Sequence, residues 1–265
     1  MSEAGSNNNI VLISGGAAGI GRHIAGAFLD EGATVHVCDS SAENIKSFLD
    51  DHPRATATHA NVADAESVDG VFADLDKLHG GLNILINNAG IAGPTAAVED
   101  VATDEWDKCI GVNLSGAFYM TRRAVPLLKQ QGGSSIINMS SVAGLFGCPL
   151  RSPYAAGKWA MIGLTKTWAM ELGPHQIRVN AICSASVAGE RIEGVIERDA
   201  AERAVSADEI RDVYQRQSSM RSFVTPQDVT DMVMFLASDR AGRISGQAIA
   251  VDGHTETLAN WLDES

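Results

Sequence analysis

Seven short apolar runs recur along this chain, each separated from the next by a stretch of helical character, and that alternation leaves few folds open. The runs are "NIVLISG" from Asn9, "TVHVCD" from Thr34, "ATATHANV" from Ala55, "LNILINNAG" from Leu82, "SSIINMSS" from Ser134, "IRVNAICSA" from Ile177 and "AIAVDG" from Ala248. Several are continuously apolar rather than alternating, as strands covered on both faces should be. Helical patterns fill the intervals at about 19–31, 41–51, 64–79, 103–131, 153–173 and 226–238. Strand–helix alternation predicts a seven-stranded parallel sheet with right-handed crossovers and helices on both faces. A length of 265 residues suits one such α/β domain over 1–265, with ample apolar material for its core.

The rhythm breaks once. Residues 188–222 intervene between the sixth strand and the next helix and are rich in charge, beginning "AGERIEG". A long excursion at the carboxyl end of a strand is where substrate-binding elements sit in open α/β sheets. The segment is therefore expected to act as a substrate lid, the alternative being a surface hairpin without function.

Charge narrows the partners. The formal net charge is −13, which disfavours nucleic acid and anionic membranes, where clustered Lys and Arg do the binding. No apolar run approaches the ~20 residues a membrane span needs, and the polar start "MSEAGSNNN" is not followed by a signal-peptide pattern. Four scattered cysteines without a C-x-x-C pair read as reduced thiols in a cytoplasmic protein. The histidines form no H-x-x-x-H pattern, and no metal site is expected.

The first strand runs into "SGGAAGIG", Ser14 to Gly21, with glycines at 15, 19 and 21. Such a turn lets backbone N–H groups approach a pyrophosphate at a helix N-terminus. An acid follows at the expected distance: Asp39 ends the second strand and can accept from the adenosine ribose hydroxyls while repelling a 2′-phosphate. Gly16 and Ser40 occupy positions where a 2′-phosphate site would carry Arg or Lys. The fold is thus expected to be Rossmann-type and the cofactor NAD.

Downstream, "SPYAAGKWA" sets Tyr154 and Lys158 four residues apart, on one helix face. A phenol at about 10 and an ammonium at about 10.4 are poor proton carriers at neutral pH when isolated. Side by side, the ammonium favours phenolate and brings the phenol toward the working range.

The G-x-x-x-G-x-G spacing, "NNAG" at 87–90, Asn113, "NMSS" at 138–141 and the Y-x-x-x-K pair occur in order, and together they resemble the classical short-chain dehydrogenase/reductase family over residues 9 to 253. The resemblance implies roles. Tyr154 would carry the proton of the substrate oxygen. Lys158 would hold the nicotinamide ribose and lower the phenol's pKa. Ser141 would orient the substrate oxygen, and Asn113 would hold a water in the proton relay. It also implies cofactor contacts from Ser14, Gly15, Gly19, Ile20 and Gly21, from Asn88, Ala89 and Gly90 after the fourth strand, and from the backbone of Val187.

Two departures stand out. The family's Pro-Gly after the sixth strand is Ser184-Ala185 here, and Val187 is followed by Ala188-Gly189, without the family's usual threonine. Position 61 is Asn where the family commonly has Asp; its carbonyl can still accept from the adenine amino group, with Val62 flanking the ring.

Arg151, three residues before Tyr154, Arg191 and Glu190 at the start of the lid, and His254 in "GHTET" favour a small polar substrate such as a sugar, polyol or hydroxy acid. Each is also compatible with a solvated surface position. The competing readings are a 3-oxoacyl-thioester reductase and a non-catalytic dinucleotide-sensing scaffold. Apolar surface on "GAFYMTRRAVPLL" and "KWAMIGLTKTWAM" predicts a homo-oligomer, with a tetramer expected.

Overall fold

The computed structural model describes residues 9–259. The expected sheet is present: β1 (Ile10–Ser14), β2 (Thr34–Asp39), β3 (Thr56–His59), β4 (Ile84–Asn87), β5 (Ser135–Met139), β6 (Arg178–Ser184) and β7 (Ala248–Val251). Their order is β3-β2-β1-β4-β5-β6-β7, and every neighbouring pair is parallel. The order reverses between β1 and β4, which places a crevice at the carboxyl ends of those strands.

Strand periodicity divides the core in two. On β1, Val11 and Ile13 join an apolar cluster on one face while Leu12 joins the other. The first face is covered by α1 (Gly19–Asp30), α2 (Ala42–Asp51) and α9 (Pro226–Ala237); Ile24, Phe28, Phe48, Val229 and Val233 are its buried anchors. The second is covered by α3 (Ala65–His79), α5 (Gly116–Gln131) and α6 (Ser152–Leu172), through Val68, Leu75, Met120, Leu128 and Trp168.

The helical pattern at 103–131 resolves into α4 (Thr103–Ile110), a wide π-type turn at Gly111–Ser115 and α5. Such one-turn widenings within α-helices often mark functional positions, and this one contains Asn113. The excursion at 188–222 folds as two helices, α7 (Glu190–Arg203) and α8 (Ala207–Arg216). A capping box between Ser206 and Glu209 starts α8. Ile192, Ile196, Ala200 and Ile210 give the pair a small core of its own, and Arg211 on α8 meets Glu193 on α7 at 2.6 Å. Its base is closed by backbone pairing, with Val224 N donating to Ser186 O (3.1 Å) and Ala188 N to Val224 O (2.8 Å). The hairpin therefore leaves and rejoins the chain at one point, beside the carboxyl end of β6.

One polar chain lies inside the β2–β3 edge beneath α3. Thr58 Oγ1 donates to Asp74 (2.6 Å), so its lone pairs must receive His36 Nε2–H (3.0 Å). His36 Nδ1 is then the acceptor, taking the Thr56 hydroxyl at 2.7 Å, while Thr56 accepts from His79 Nε2 at 2.7 Å. Burial, then the His79 charge, lowers the pKa of His36 to about 4, with Asp74 opposing. Because the unfolded chain takes up that proton near pH 6.5 and the folded chain does not, the contribution is complete above pH 6.5 and is lost on acidification toward pH 4. Urea unfolding should show about 2 kcal/mol less stability at pH 5 than at pH 7.5 from this group. His36→Gln should flatten that part of the dependence; an unchanged pH profile would contradict it.

Candidate active site

The glycine turn after β1 sorts its residues by task. A Cβ on Gly21 would sit 2.2 Å from Gly15 O, and one on Gly15, whose φ is +60°, would sit 2.9 Å from Ala89 Cα. Those two glycines permit close packing of the turn on α1 and on the residues after β4. Gly19, at φ +52°, faces open space instead, with nothing within 4 Å. The helix it begins has no side-chain N-cap and no acid in its first turn, so its first N–H groups are left for an anion. This is the arrangement a pyrophosphate requires. Asp39 stands beside it, accepting from Ala17 N (3.3 Å) and Ser41 N (3.1 Å) at the end of β2.

A cleft of about 1630 Å³ runs from there across the carboxyl ends of the strands to the α7–α8 hairpin, larger than the ~300–1,000 Å³ of a drug-sized pocket. Gly15, Gly19, Ile20, Asp39, Asn61 and Val62 line one end; Asn88, Ala89 and Gly90 line its middle; Ser141, Arg151, Tyr154, Val187 and Arg191 line the other. Ser14 and Gly21 lie behind this lining. Ser14 is buried, and its hydroxyl accepts from Asn88 N and Ala89 N, both at 3.1 Å. The Asn88 amide returns to Ser14 O (3.0 Å) and Gly15 O (2.8 Å). Both side chains thus lock the glycine turn to the end of β4. Asn61 Oδ1 accepts from Ala63 N at 3.0 Å and keeps one lone pair.

At the chemical end, α6 carries Tyr154 and Lys158 on successive turns. Lys158 is buried, its Nζ donating to Met139 O at 2.7 Å and lying 5.6 Å from the Tyr154 ring centroid. Ser141 accepts from Ala143 N (3.2 Å) and donates to Ser184 O (3.3 Å), within reach of the Tyr154 hydroxyl. Ser184, at the position of the family's usual proline, offers Ser141 its main-chain carbonyl, an acceptor that a proline would offer equally. Asn113 is clamped on both sides to Ile91, accepting from its N–H and donating to its carbonyl at 3.0 Å each, with Cys109 Sγ at 3.1 Å. A Cβ on Gly90 would fall 2.8 Å from Asn113 Oδ1 and 3.7 Å from Lys158 Nζ, so these three residues meet at one point.

Electrostatics follow from that packing. Burial alone pushes the Tyr154 phenol up, but Lys158, then Arg191, the Ser141 hydroxyl and Arg151 pull it down, and the net direction is down. Burial draws the Lys158 ammonium below its usual range, with Tyr154 opposing. The constellation can hold a proton on Tyr154 loosely and return it, as general acid–base chemistry needs.

Sequence reasoning missed three supports. Ser140 Oγ donates to Lys158 O at 2.9 Å, bracing α6 against β5. Gly144 makes that approach possible, since a Cβ there would meet Lys158 O at 2.7 Å. Asn87 and Asn138, both buried, join at 2.8 Å and tie β4 and β5 to Thr121 and Thr165 on the covering helices. His254 does not reach the cleft: it is exposed, with Nδ1 against Ser219 Oγ at 3.0 Å, because residues 254–256 turn back to pair with 217–219.

A family model described as enoyl-(acyl carrier protein) reductase matches residues 15–254. A 3-oxoacyl-[acyl-carrier-protein] reductase of Thermotoga maritima is 36% identical over 248 residues, covering 92% of this chain and 96% of that protein. A trans-4-hydroxycyclohexanecarboxylate dehydrogenase of Sinomonas cyclohexanicum is 36% identical over 271 residues, covering 96% and 94%. Among solved structures, an NAD+-bound xylitol dehydrogenase matches with a TM-score of 0.88 at 25% identity, covering 93% of this chain and 98% of that one.

Proposed function

The chain belongs to the short-chain dehydrogenase/reductase family, and on that premise we propose that it interconverts a small polar secondary alcohol and its carbonyl compound with NAD as cofactor. The observation that carries this reading is the half-buried Tyr154 phenol, held down in pKa by Lys158 and bordered by Ser141 at one end of a dinucleotide-sized cleft. Nicotinamide, when bound, supplies hydride acceptance and donation. The chain does the rest. Ser141, turning its one O–H from Ser184 O, donates a hydrogen bond that positions the substrate oxygen, and Tyr154 takes the hydroxyl proton in oxidation and gives it back in reduction. Lys158 stabilises the phenolate and holds the nicotinamide ribose. The Asn113 amide is engaged by Ile91 and Cys109, so a relay water would be held by its main-chain carbonyl. Val187 N–H and C=O point away from Val224, since the bridge there uses Ser186 O and Ala188 N. They are available for a carboxamide.

Reduction of a 3-oxoacyl thioester is the second reading, favoured by the Thermotoga maritima relative and the matching family model. Asp39 and the net charge of −13 weigh against it: the carboxylate repels a 2′-phosphate, and the acidic chain offers little to an acidic carrier. A dinucleotide-sensing scaffold has no need of all four catalytic side chains. Calorimetric titration separates the first two. NAD should bind about 30-fold or more tighter than NADP, equivalent to about 2 kcal/mol of repulsion, and Asp39→Ala with Ser40→Arg should erase the difference. Equal affinity of the wild type for both would sink the NAD assignment.

In this reading α7 and α8 form the substrate lid and the whole chain acts as one catalytic domain in the cytoplasm. Assembly is proposed on the same footing. Phe118 on α5 and Trp159 and Met170 on α6 stay exposed, at 45%, 52% and 82%, an apolar face suited to a two-fold interface. A tetramer mass by light scattering at micromolar concentration is expected; a monomer would refute it.

A further inference from the structure

Several arginines of this acidic chain pair with carboxylates. Arg22 pairs with Asp51, Arg203 with Asp199, Arg211 with Glu193 and Asp208, and Arg216 with Asp212. Others, such as Arg54, Arg178 and Arg198, do without one, but of those without a carboxylate among the described residues only Arg151 and Arg191 line the cleft. Neither has a carboxylate within 4.0 Å among the described residues, although Asp107 and Glu190 line the same cleft. Each instead gives one N–H to a carbonyl of a single loop: Arg151 Nη2 to Ala92 O at 2.8 Å, and Arg191 Nη1 to Gly90 O at 3.4 Å. Two residues of chain span at most about 7 Å, so the two guanidinium groups come from different elements to nearly one place.

That place is beside the reacting group. Arg151 Cζ lies 5.3 Å from the Tyr154 ring centroid, and both arginines act electrostatically on its phenol. Arg151 Nε is buried without a partner. A guanidinium offers five N–H donors, and most of those on this pair are unengaged. A buried donor left without a partner, as at Arg151 Nε, is costly, and the planar fork matches carboxylate and sulfonate oxygens two at a time.

We infer that Arg151 and Arg191 form an anion subsite, so that the substrate alcohol carries a carboxylate or sulfonate within roughly three bonds of its carbinol carbon. The subsite deepens the dehydrogenase reading and rests on it for the bound anion being part of a substrate. Arg151 sits on the fixed wall and Arg191 in the first turn of α7, so an anion bridging them would also draw the lid onto the cleft.

Calorimetry on the NAD-saturated protein tests this without knowledge of the substrate. Butyrate, propane-1-sulfonate and the neutral butyramide are titrated in turn. At least one anion should bind about 10-fold or more tighter than butyramide. Arg151→Gln and Arg191→Gln should each weaken that anion about 10-fold or more, with NAD binding in the same samples reporting an intact fold. Arg191 is exposed, so its variant folds even if the Arg151 variant does not. Butyramide binding as tightly as both anions, or Arg191→Gln keeping full anion affinity, would overturn the subsite. Rates with 3-hydroxybutyrate, 2-hydroxypropane-1-sulfonate and neutral polyols separate the two readings. Turnover of polyols alone, with no anion effect, removes the subsite and leaves the dehydrogenase. Arginine-dependent anion binding without turnover of any alcohol supports the subsite and removes the dehydrogenase.

Discussion

Tyr154→Phe is expected to lower kcat by about 10²- to 10⁴-fold, the range associated with loss of a positioned acid–base group. The substitution removes one oxygen and keeps the ring. That ring sits 5.3 Å from Arg151 Cζ and 5.6 Å from Lys158 Nζ, and those contacts survive in phenylalanine. Fold and NAD affinity should therefore change little, and the loss should fall on kcat and kcat/KM together, as when an interaction confined to the transition state is removed. Initial rates on any alcohol the wild type oxidises check it. Near-normal kcat in the variant would remove tyrosine from the mechanism.

Lys158→Met should cost nearly as much, by a different route. Burial is the largest influence on the Tyr154 phenol and pushes it up; Lys158 is the largest of those opposing it. Without the ammonium the phenol moves up, with Arg191, Ser141 and Arg151 left to oppose burial. At neutral pH oxidation should fall about 10²-fold or more, with partial recovery on the alkaline side where the wild type has already levelled off. NAD affinity should fall as well, since the ribose loses a donor. Methionine fills most of the volume but leaves Met139 O without the 2.7 Å partner it has now, at about 1–3 kcal/mol for an orphaned buried acceptor. Rate profiles against pH, with NAD titrations on the same samples, read all three effects. A variant with the wild-type pH profile would show that Lys158 does not act on Tyr154.

The parts of this molecule legible in its sequence are those governed by periodicity and local chemistry. β1 was readable because Val11, Leu12 and Ile13 are buried on opposite faces of one sheet, which demands an unbroken apolar run. The glycine turn was readable because only glycine tolerates a carbonyl 2.2 Å from its Cβ position, as at Gly21. Features set by distant partners were not. The π-type turn around Asn113 depends on a clamp to Ile91, 22 residues away, and left no mark on the helical pattern at 103–131. Ser14 and Asn88 carry motif identity, yet the sequence could not say that each side chain would bond the other's backbone. His254 was placed by its proximity to the last strand, but Gly253, at φ +63°, and the pairing of 254–256 with 217–219 carry it out to solvent. The second helix of the excursion starts on the capping box of Ser206 and Glu209. The high charge of that segment obscured the apolar stripe of Ile192, Ile196 and Ile210.

The central claim is that this fold brings the Tyr154 phenol below its normal range by means of Lys158, and phenolate absorbance in the near ultraviolet reads that directly. The chain has three tyrosines, and Tyr214 is pushed up to about 12, chiefly by burial. Subtracting the pH titration of Tyr154→Phe from that of the wild type isolates Tyr154. The account predicts a single phenolate transition with its midpoint below the phenol's usual value of about 10, moving upward in Lys158→Met. A midpoint at or above 10 in the wild type, or one that Lys158→Met leaves in place, would contradict it.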